Sequence, residues 1–375
     1  MILRFIHGKK ILKNSSSKKV NSTLSIIGTA GIPAKYGGFE TVAENIARYI
    51  DKNNLQISAT VFCSGKKTLD RIYGAKLTYI RLSANGISSI FYDLISMIIS
   101  VKRSQDVILM LGVSGAIFIP VIKLISKVKF ITNVDGIEWD RKKWGFLARN
   151  FLKISEYIAV KFSDKIISDN EGIYNYLIEN YSLESEMIAY GGDQSRSTSE
   201  SKTSRFLPEN YSLALSRIEP ENNVHLILRS FKSIKSKNLI YVGNWESSNY
   251  ARKLKAEYSK YNNIFLFDPI YEENQLKYIR NRCKIYIHGH SAGGTNPSLV
   301  EMMFFQKPII AFNCSFNKYT TNNFADFFDT EQDLVKIIEN FKIDEQKVRG
   351  LYNFAMSNYT WERIGKKYIN LLEKL

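Results

Sequence analysis

The sequence predicts an α/β protein made of two doubly wound, Rossmann-like domains, each built on a parallel sheet. Short apolar runs alternate with helical stretches between residues 23 and 189, and the alternation restarts at residue 211. Such alternation is typical of βαβ units. With 375 residues, the chain is also too long for one ordinary core, which agrees with two domains.

Four segments follow from this pattern. Residues 1–22 are predicted to be a basic lead-in, residues 23–192 a first domain, residues 193–210 a serine-rich linker, and residues 211–375 a second domain with a helical tail. The linker is recognised by its serines and its few apolar residues. Doubly wound sheets bind ligands at the carboxyl ends of their strands, so two domains that face each other would share one cleft.

In the first domain, strand runs are short and apolar, and the segments between them have helical spacing. The predicted strands are Thr23–Ile27, Ile57–Cys63, Lys76–Leu82, Val107–Leu111, Phe130–Val134, Lys165–Ser168 and Glu186–Ala189. The predicted helices are Phe39–Ile50, Ile87–Val101, Ile117–Ser126, Phe146–Phe162 and Glu171–Asn180.

The second domain repeats the pattern. Its predicted strands are Tyr211–Leu215, Leu239–Val242, Ile264–Phe267, Lys284–Ile287 and Pro308–Phe312. Its predicted helices are Asn222–Ser233, Tyr250–Tyr258, Glu272–Asn281 and Ser298–Phe305, and residues 331–375 are mostly helical.

Each domain contains a strand, a glycine-rich loop and a helix in succession. The first loop is Gly28–Gly38, and the second runs from Gly289 to Asn296 before Pro297. The amides and dipole of a helix start favour phosphate, and Glu301, one turn further on, can accept hydrogen bonds from sugar hydroxyls. An ordinary tight turn with a solvated glutamate is the alternative. The first loop matches neither the dinucleotide nor the P-loop pattern.

Composition restricts the partners and the compartment. The 52 basic and 36 acidic residues give a net charge of +16, which attracts nucleic acid, anionic lipid or phosphorylated substrates. The cysteines, Cys63, Cys283 and Cys314, are scattered, which favours a reducing cytosol over a disulfide framework or zinc site. The longest uncharged stretch, Val107–Ile122, is shorter than a membrane span, and we expect no signal peptide.

Two segments raise the question of membrane contact. Trp139–Phe162 interleaves aromatic and basic residues, as in helices that lie on anionic membranes, although a helix packed on the sheet with a solvated basic face is the alternative. Ile87–Ile99 is more apolar, which favours burial in the core over contact with lipid.

Three motifs together resemble a known family. Residues 28–40 read GTAGIPAKYGGFE, residues 216–222 read SRIEPEN, and residues 293–301 read GGTNPSLVE. With the two-domain pattern, they resemble retaining GT-B glycosyltransferases of the group 1 or family 4 type, and especially the rhamnosyltransferases of bacterial capsule and O-antigen assembly. The resemblance implies a GT-B fold and transfer of L-rhamnose from dTDP-L-rhamnose to a lipid-linked oligosaccharide. It also implies a cytoplasmic enzyme, peripheral at the inner face of the membrane.

The expected donor-binding residues lie in these motifs and at the end of the strand before the second loop. They are Gly37, Gly38, Arg217, His288, Gly293, Gly294, Thr295, Asn296 and Glu301. The resemblance implies that Arg217 neutralises the diphosphate and Glu301 holds the ribose. Arg217 and Asp135 are the expected catalytic residues, and a structural turn or cap is the alternative for Asp135. His288 and His290 flank the loop, where each could bond phosphate or sugar or be purely structural.

The sequence departs from the family pattern in two places. Gly293 stands where the wider family often has the first of two glutamates, a difference that a 6-deoxy sugar would explain. Asn222 and Asn223 occupy the neighbourhood in which the family tends to have a lysine. Neutralisation of the diphosphate would then depend on Arg217, the helix start and Lys35.

We expect neither a metal ion nor a cofactor. The chain has no D-x-D triplet and no cluster of histidines and cysteines, so the diphosphate would leave on fixed positive groups and amides. Two alternatives remain: a hexosyltransferase of the same fold that uses a UDP or GDP sugar, and a basic nucleic-acid-binding protein. Two preformed glycine loops disfavour the second, because phosphate-backbone binding needs basic side chains instead. We therefore expect no nucleic-acid partner.

Overall fold

The protein forms two parallel sheets, each covered by helices on both faces. The structure, a computed structural model, describes residues 22–34, 37–134, 136–141, 144–197, 199, 201–203 and 205–375. Each sheet has an apolar cluster on either face. Successive strand residues such as Leu109 and Met110 point to opposite faces of the sheet, so they belong to different clusters.

The first sheet has the order β3-β4-β2-β1-β5-β6-β7-β8, and its pairs are parallel apart from β3–β4. Its strands are β1 Ser22–Ile27, β2 Ile57–Ser64, β3 Arg71–Ile72, β4 Ala75–Ile80, β5 Val107–Leu111, β6 Lys129–Val134, β7 Lys165–Ser168 and β8 Glu186–Met187. The order reverses beside β1, so a crevice opens where the first glycine loop begins.

The helices of this domain lie on two sides of the sheet. They are α1 Gly38–Lys52, α2 Ser88–Lys102, α3 Ile119–Ile125, α4 Phe146–Phe162 and α5 Glu171–Tyr181. Helix α1 contributes to the cluster on one face, whereas α2, α3, α4 and α5 contribute to the cluster on the other.

The second sheet is fully parallel, in the order β11-β10-β9-β12-β13-β14. Its strands are β9 Tyr211–Leu215, β10 Asn238–Val242, β11 Ile264–Phe267, β12 Ile285–His288, β13 Ile309–Phe312 and β14 Asp326–Phe328. The remaining helices are α6 Gln194–Ser197, α7 Val224–Ser233, α8 Asn249–Tyr258, α9 Glu273–Arg282, α10 Pro297–Met303, α11 Ser315–Thr321, α12 Glu331–Glu339, α13 Glu345–Asn358 and α14 Trp361–Glu373. The predicted pair of doubly wound domains is confirmed.

The last helix returns to the first domain. Helix α14 packs against α1, and the Trp361 amide donates to the Asp193 carboxylate at 2.7 Å. A Cβ at Gly365 would meet the ring of Tyr49, so a glycine here lets the two helices approach closely. The domain limits that the sequence indicates stay a prediction. The structure adds that the helical tail contacts both domains.

Four elements were not predicted from the sequence: the two-residue strand β3, the four-residue helix α6 inside the predicted linker, α11 and β14. Helix α11 has poor helix formers, and β14 is three residues long. Helix α11 is held by a tertiary contact, since the side-chain amide of Asn170 donates to the Thr320 hydroxyl at 3.0 Å. In the described part of the chain, no helix combines the length and apolar character needed to cross a membrane.

Candidate functional site

The two glycine loops meet across a cleft between the domains. The first glycine loop, residues 28–38, follows β1, and the second glycine loop, residues 289–296, follows β12. A Cβ placed on Gly38 would lie 3.4 Å from Cγ of Pro297, the first residue of α10. A Cβ on Gly136, after β6, would lie 3.1 Å from Cα of Gly293. Both loops therefore border one site.

The first glycine loop is held by carboxylates of the helix that follows it. The Ala30 amide donates to Oε1 of Glu40 at 2.8 Å, and the Ala34 amide donates to Oε2 of Glu44 at 2.6 Å. Gly37 has a φ of 132°, and a Cβ there would sit 1.9 Å from Oε2 of Glu40. This turn therefore requires glycine at position 37. Lys35 lies outside the described residues.

The second glycine loop is held from the opposite domain. The Thr295 amide donates to Oδ2 of Asp169, in the loop after β7, at 2.9 Å, and the Thr295 hydroxyl donates to the Asp169 carbonyl. The Asn296 side chain caps α10 by accepting from the Ser298 amide at 3.1 Å. The Thr295 amide, predicted to bind phosphate, is thus already bonded to Asp169, and a phosphate there would have to displace this carboxylate.

Glu301 is held in place by two side chains. Arg280 of α9 forms an ion pair with it, and the Gln194 side-chain amide donates to its Oε1 at 2.8 Å. The side chains of Arg280 and Glu301 are only 6% and 16% exposed. A carboxylate has about four acceptor positions, so a fixed Glu301 keeps capacity for ribose hydroxyls. Neither Arg280 nor Gln194 was predicted, because sequence spacing carries no signal for such distant partners.

Two guanidinium groups border the second glycine loop. Arg217 follows β9, is 43% exposed and lies 3.8 Å from the Glu219 carboxylate. Arg141 of the first domain pairs with Glu138 at 2.9 Å, and its Nη2 is 3.6 Å from a Cβ position on Gly293. The sequence analysis placed Arg141 in a possible membrane segment. The structure places it in the cleft instead, because the chain after β6 turns toward the second domain.

Comparison with known families finds a match for each of the two domains. Residues 195–355 match the family model described as Glycosyl transferases group 1, and residues 21–193 match a domain of unknown function, DUF1972. The match covers 161 of the 375 residues, so it shows that this segment is similar to group 1 glycosyl transferases. No curated protein matches the chain. The prediction of a glycosyltransferase is thus supported, whereas rhamnose specificity and retention remain predictions.

Solved structures agree on the fold. Sucrose-phosphate synthase from Thermosynechococcus elongatus superposes with a TM-score of 0.75 at 12% identity, covering 94% of this chain and 98% of its own. HepE of Anabaena in complex with UDP has a TM-score of 0.69 at 13% identity and covers 94% and 100%. A glycosyltransferase from Rickettsia africae has a TM-score of 0.69 at 14% identity and covers 95% and 98%. Identities this low show the GT-B fold alone, which confirms the predicted fold class.

Two buried histidines lie where β12 meets the second glycine loop, His288 as the last residue of the strand and His290 within the loop. His288 is 1% exposed, and burial lowers its pKa to about 3. Nδ1 of His290 bonds to Oδ1 of Asn222 at 2.7 Å, and Asn222 also donates to the Arg217 carbonyl at 2.7 Å. Burial, and then His288 and Arg141, holds the pKa of His290 well below its usual range. Asn222, which lies near the position where the family tends to have a lysine, thus links His290 to the backbone of Arg217. A donor-binding role for His288 stays a prediction.

Some predicted site residues have no direct test. Asp135 lies outside the described residues, so its catalytic role stays a prediction. Gly294 lies beside Gly136, since a Cβ on Gly136 would be 3.4 Å from the Gly294 amide nitrogen. Within the described residues, no three His, Cys, Asp or Glu side chains are grouped as a metal site.

A separate cavity of about 610 Å³ lies in the second domain, away from this cleft. Its lining includes Tyr211 and Lys284, at the starts of β9 and β12, together with Arg282 and Lys307. The glycine loop follows the end of β12, so cavity and cleft lie on opposite edges of the second sheet. The chemistry argued from the loops therefore belongs to the cleft.

Proposed function

We propose that the protein transfers L-rhamnose from dTDP-L-rhamnose to a hydroxyl of a lipid-linked oligosaccharide, with retained anomeric configuration. The observation that carries the nucleotide-sugar part is the convergence of two glycine loops, Arg217 and a doubly held Glu301 on one cleft. The choice of rhamnose and its nucleotide depends on the resemblance of residues 28–40 to rhamnosyltransferases. Gly293 adds support, because a 6-deoxy sugar presents no 6-hydroxyl to the missing acid.

We assign stabilisation of the departing diphosphate to fixed, positively charged side chains. Charge-assisted hydrogen bonds from guanidinium to phosphate are strong, and they are stronger still where water is excluded. Arg217 is accessible from solvent, whereas Arg141 is 13% exposed and reaches the same loop from the first domain. We propose that both contact the leaving diphosphate and that no metal ion is needed.

Sugar transfer breaks the bond between the anomeric carbon and the diphosphate oxygen and forms a bond to the acceptor oxygen on the same face. The acceptor proton passes to the departing diphosphate, so no dedicated base is required. Asp135 is the candidate for an additional acceptor-side role. The acceptor is presented at the inner face of the cell membrane.

Ligand-induced thermal stabilisation tests the donor. A ligand at 100 times its Kd adds about 2.7 kcal/mol of stability, so dTDP and dTDP-L-rhamnose should raise Tm more than UDP, GDP or their sugars. Arg217→Ala and Glu301→Gln should lose this shift relative to their own unliganded Tm. Arg229→Ala, which removes an exposed arginine of α7, is the matched control and should keep it.

Different results would contradict different parts of the proposal. A shift selective for UDP or GDP ligands would contradict rhamnose transfer and keep the nucleotide-sugar site. The absence of any shift at millimolar nucleotide would contradict the site itself. Transfer should continue in excess EDTA, and complete loss of activity that magnesium restores would contradict metal independence.

A further inference from the structure

The chain passes from the first domain to the second at residues 190–194, here called the crossover segment. This segment packs directly on α10, since a Cβ on Gly192 would lie 3.0 Å from the amide nitrogen of Glu301. On its other side, a Cβ on Gly191 would lie 2.6 Å from the ring of Trp361, the first residue of α14. The crossover segment is therefore enclosed between α10 and the start of the helical tail.

Helix α14 ends the chain, but it is attached to the first domain. Trp361 and Tyr368 belong to the same buried cluster as the apolar residues of α1. The Tyr368 hydroxyl accepts from the side-chain amide of Asn133 in β6 at 3.3 Å, and the Lys367 ammonium donates to the Met187 carbonyl of β8 at 3.1 Å. The position of Trp361 is therefore fixed by the first domain.

The side chain of Gln194 bridges Trp361 and Glu301. Its carbonyl oxygen accepts from the Trp361 indole N–H at 2.6 Å, and its amide nitrogen donates to Oε1 of Glu301 at 2.8 Å. An indole N–H can only donate and an ionised carboxylate can only accept, so these two partners allow one orientation of the Gln194 amide. The opposite orientation would place donor against donor and acceptor against acceptor. Trp361 thus selects the orientation in which Gln194 donates to Glu301.

The bridge helps to determine the plane of the Glu301 carboxylate. Oε1 is bonded to Gln194 of α6, and Oε2 is paired with Arg280 of α9. A carboxylate held at one oxygen can still rotate, whereas bonds to both oxygens from different elements fix its orientation. The remaining acceptor positions of Glu301 are then directed before a ligand arrives, and such preorganisation increases affinity because less freedom is lost on binding.

We propose that Gln194 and Trp361 are positioning residues for the nucleotide: Trp361 orients Gln194, and Gln194 orients Glu301 toward a hydroxyl of the nucleoside sugar. This inference rests on the proposed function, which places that sugar at Glu301. It adds that recognition of the nucleoside by the second domain depends on a side chain that the first domain fixes. Loss of the bridge should weaken recognition of the hydroxyl and spare the diphosphate contacts, because Arg217 follows a different strand, β9.

Isothermal titration of the full chain with nucleotides that differ by one hydroxyl tests the bridge. The probes are dTDP with 2′,3′-dideoxythymidine diphosphate, and UDP with 3′-deoxy-UDP, so the test does not depend on the base. The wild type should bind the member of a pair that carries the 3′-hydroxyl about tenfold tighter, the scale of one hydrogen bond to a charged group.

Two variants remove the bridge at different points. Gln194→Met keeps the length of the side chain but has no amide, and it should reduce the preference for the hydroxyl to about threefold or less. Trp361→Phe keeps an aromatic ring beside Gly191 and lacks the indole N–H, so it should reduce the preference by a smaller factor. The preference is a ratio of two affinities of the same variant, so a general loss of stability does not change it.

The matched control is Gln332→Met, which changes an exposed glutamine of α12 and should keep the wild-type preference. An unchanged preference in Gln194→Met would overturn the inference and leave the proposed function standing. A full preference in Trp361→Phe would overturn the role of Trp361. A wild type without any preference would overturn the inference together with the contact between Glu301 and the nucleoside sugar, and Glu301→Gln would then bind both members of a pair as the wild type does.

Discussion

The two glycine loops of the cleft are held by different parts of the molecule. The first glycine loop is bonded to Glu40 and Glu44, which belong to the next helix of its own domain. The second is bonded through Thr295 to Asp169 of the other domain and contacts Gly136 across the cleft. The first loop therefore keeps its shape wherever the second domain lies, whereas the second loop has this environment only when the domains are together.

This difference assigns the loops separate tasks. A loop held within one domain is suited to rigid positioning, because its amides are arranged before any ligand arrives. A loop held across an interface couples ligand binding to the relative position of the domains. An incoming phosphate would compete with Asp169 for the Thr295 amide, so the proposed donor binding and the domain contact would share one hydrogen-bond donor.

The largest expected effect concerns the helix after the second loop. Glu301→Ala should lower the free energy of unfolding by about 3–5 kcal/mol, because it leaves Arg280 as an unpaired buried charge. Urea denaturation measures the loss. Removing both charges, as Arg280→Met with Glu301→Leu, should recover much of it.

The control for this pair is an exposed one. Lys52 and Glu362 lie 3.2 Å apart with side chains 72% and 58% exposed, so Glu362→Ala should cost less than about 1 kcal/mol. Equal losses for Glu301→Ala and Glu362→Ala would show that the second loop's helix is not anchored by a buried pair.

A smaller effect distinguishes the two loops directly. Glu40→Ala frees the Ala30 amide, and Asp169→Ala frees the Thr295 amide, each at a local cost of about 1–3 kcal/mol. Hydrogen exchange should accelerate in residues 28–34 for the first variant and in residues 289–296 for the second. Acceleration of both loops by either variant would contradict the separate anchoring described above.

The remaining expected effect is a pH dependence beneath the first glycine loop. Burial raises the pKa of Asp93 to about 8, although the Gly115 and Gly28 amides oppose the shift. The unfolded chain loses this proton near the ordinary pKa of 3.8 and the folded protein only near 8, so stability falls as pH rises between them. The slope is at most about 1.4 kcal/mol per pH unit.

Asp93→Asn removes this titration. The difference in unfolding free energy between wild type and variant should move in favour of the variant from pH 6 to pH 8, as measured by urea denaturation at each pH. If this difference in unfolding free energy stays constant from pH 6 to pH 8, Asp93 is ionised in the folded protein, and the first glycine loop packs against a charged carboxylate.

Much of the fold was predictable because its signals are local. Apolar runs and helical spacing located most strands and helices to within a few residues, and the two glycine loops marked the carboxyl ends of β1 and β12. Of the missed elements, β3, β14 and α6 are only two, three and four residues long. Helix α11 has weak local preferences and depends on contacts such as Asn170–Thr320. A short-range sequence pattern cannot predict an element that is stabilised by contacts with residues far away in the chain.

For this protein, the sequence alone determined the two-domain α/β plan and the position of the two glycine loops at strand ends, since periodicity and glycine placement are read along the chain. Only the tertiary structure decided that Arg141 enters the cleft, that Arg280 and Gln194 hold Glu301, and that Asp169 holds the Thr295 amide. It also decided that Phe91 of α2 is exposed, whereas Tyr92 and Met97 of the same helix are buried. Spacing shows which residues share a helix face, but whether that face is covered depends on neighbours that the topology brings from far along the chain.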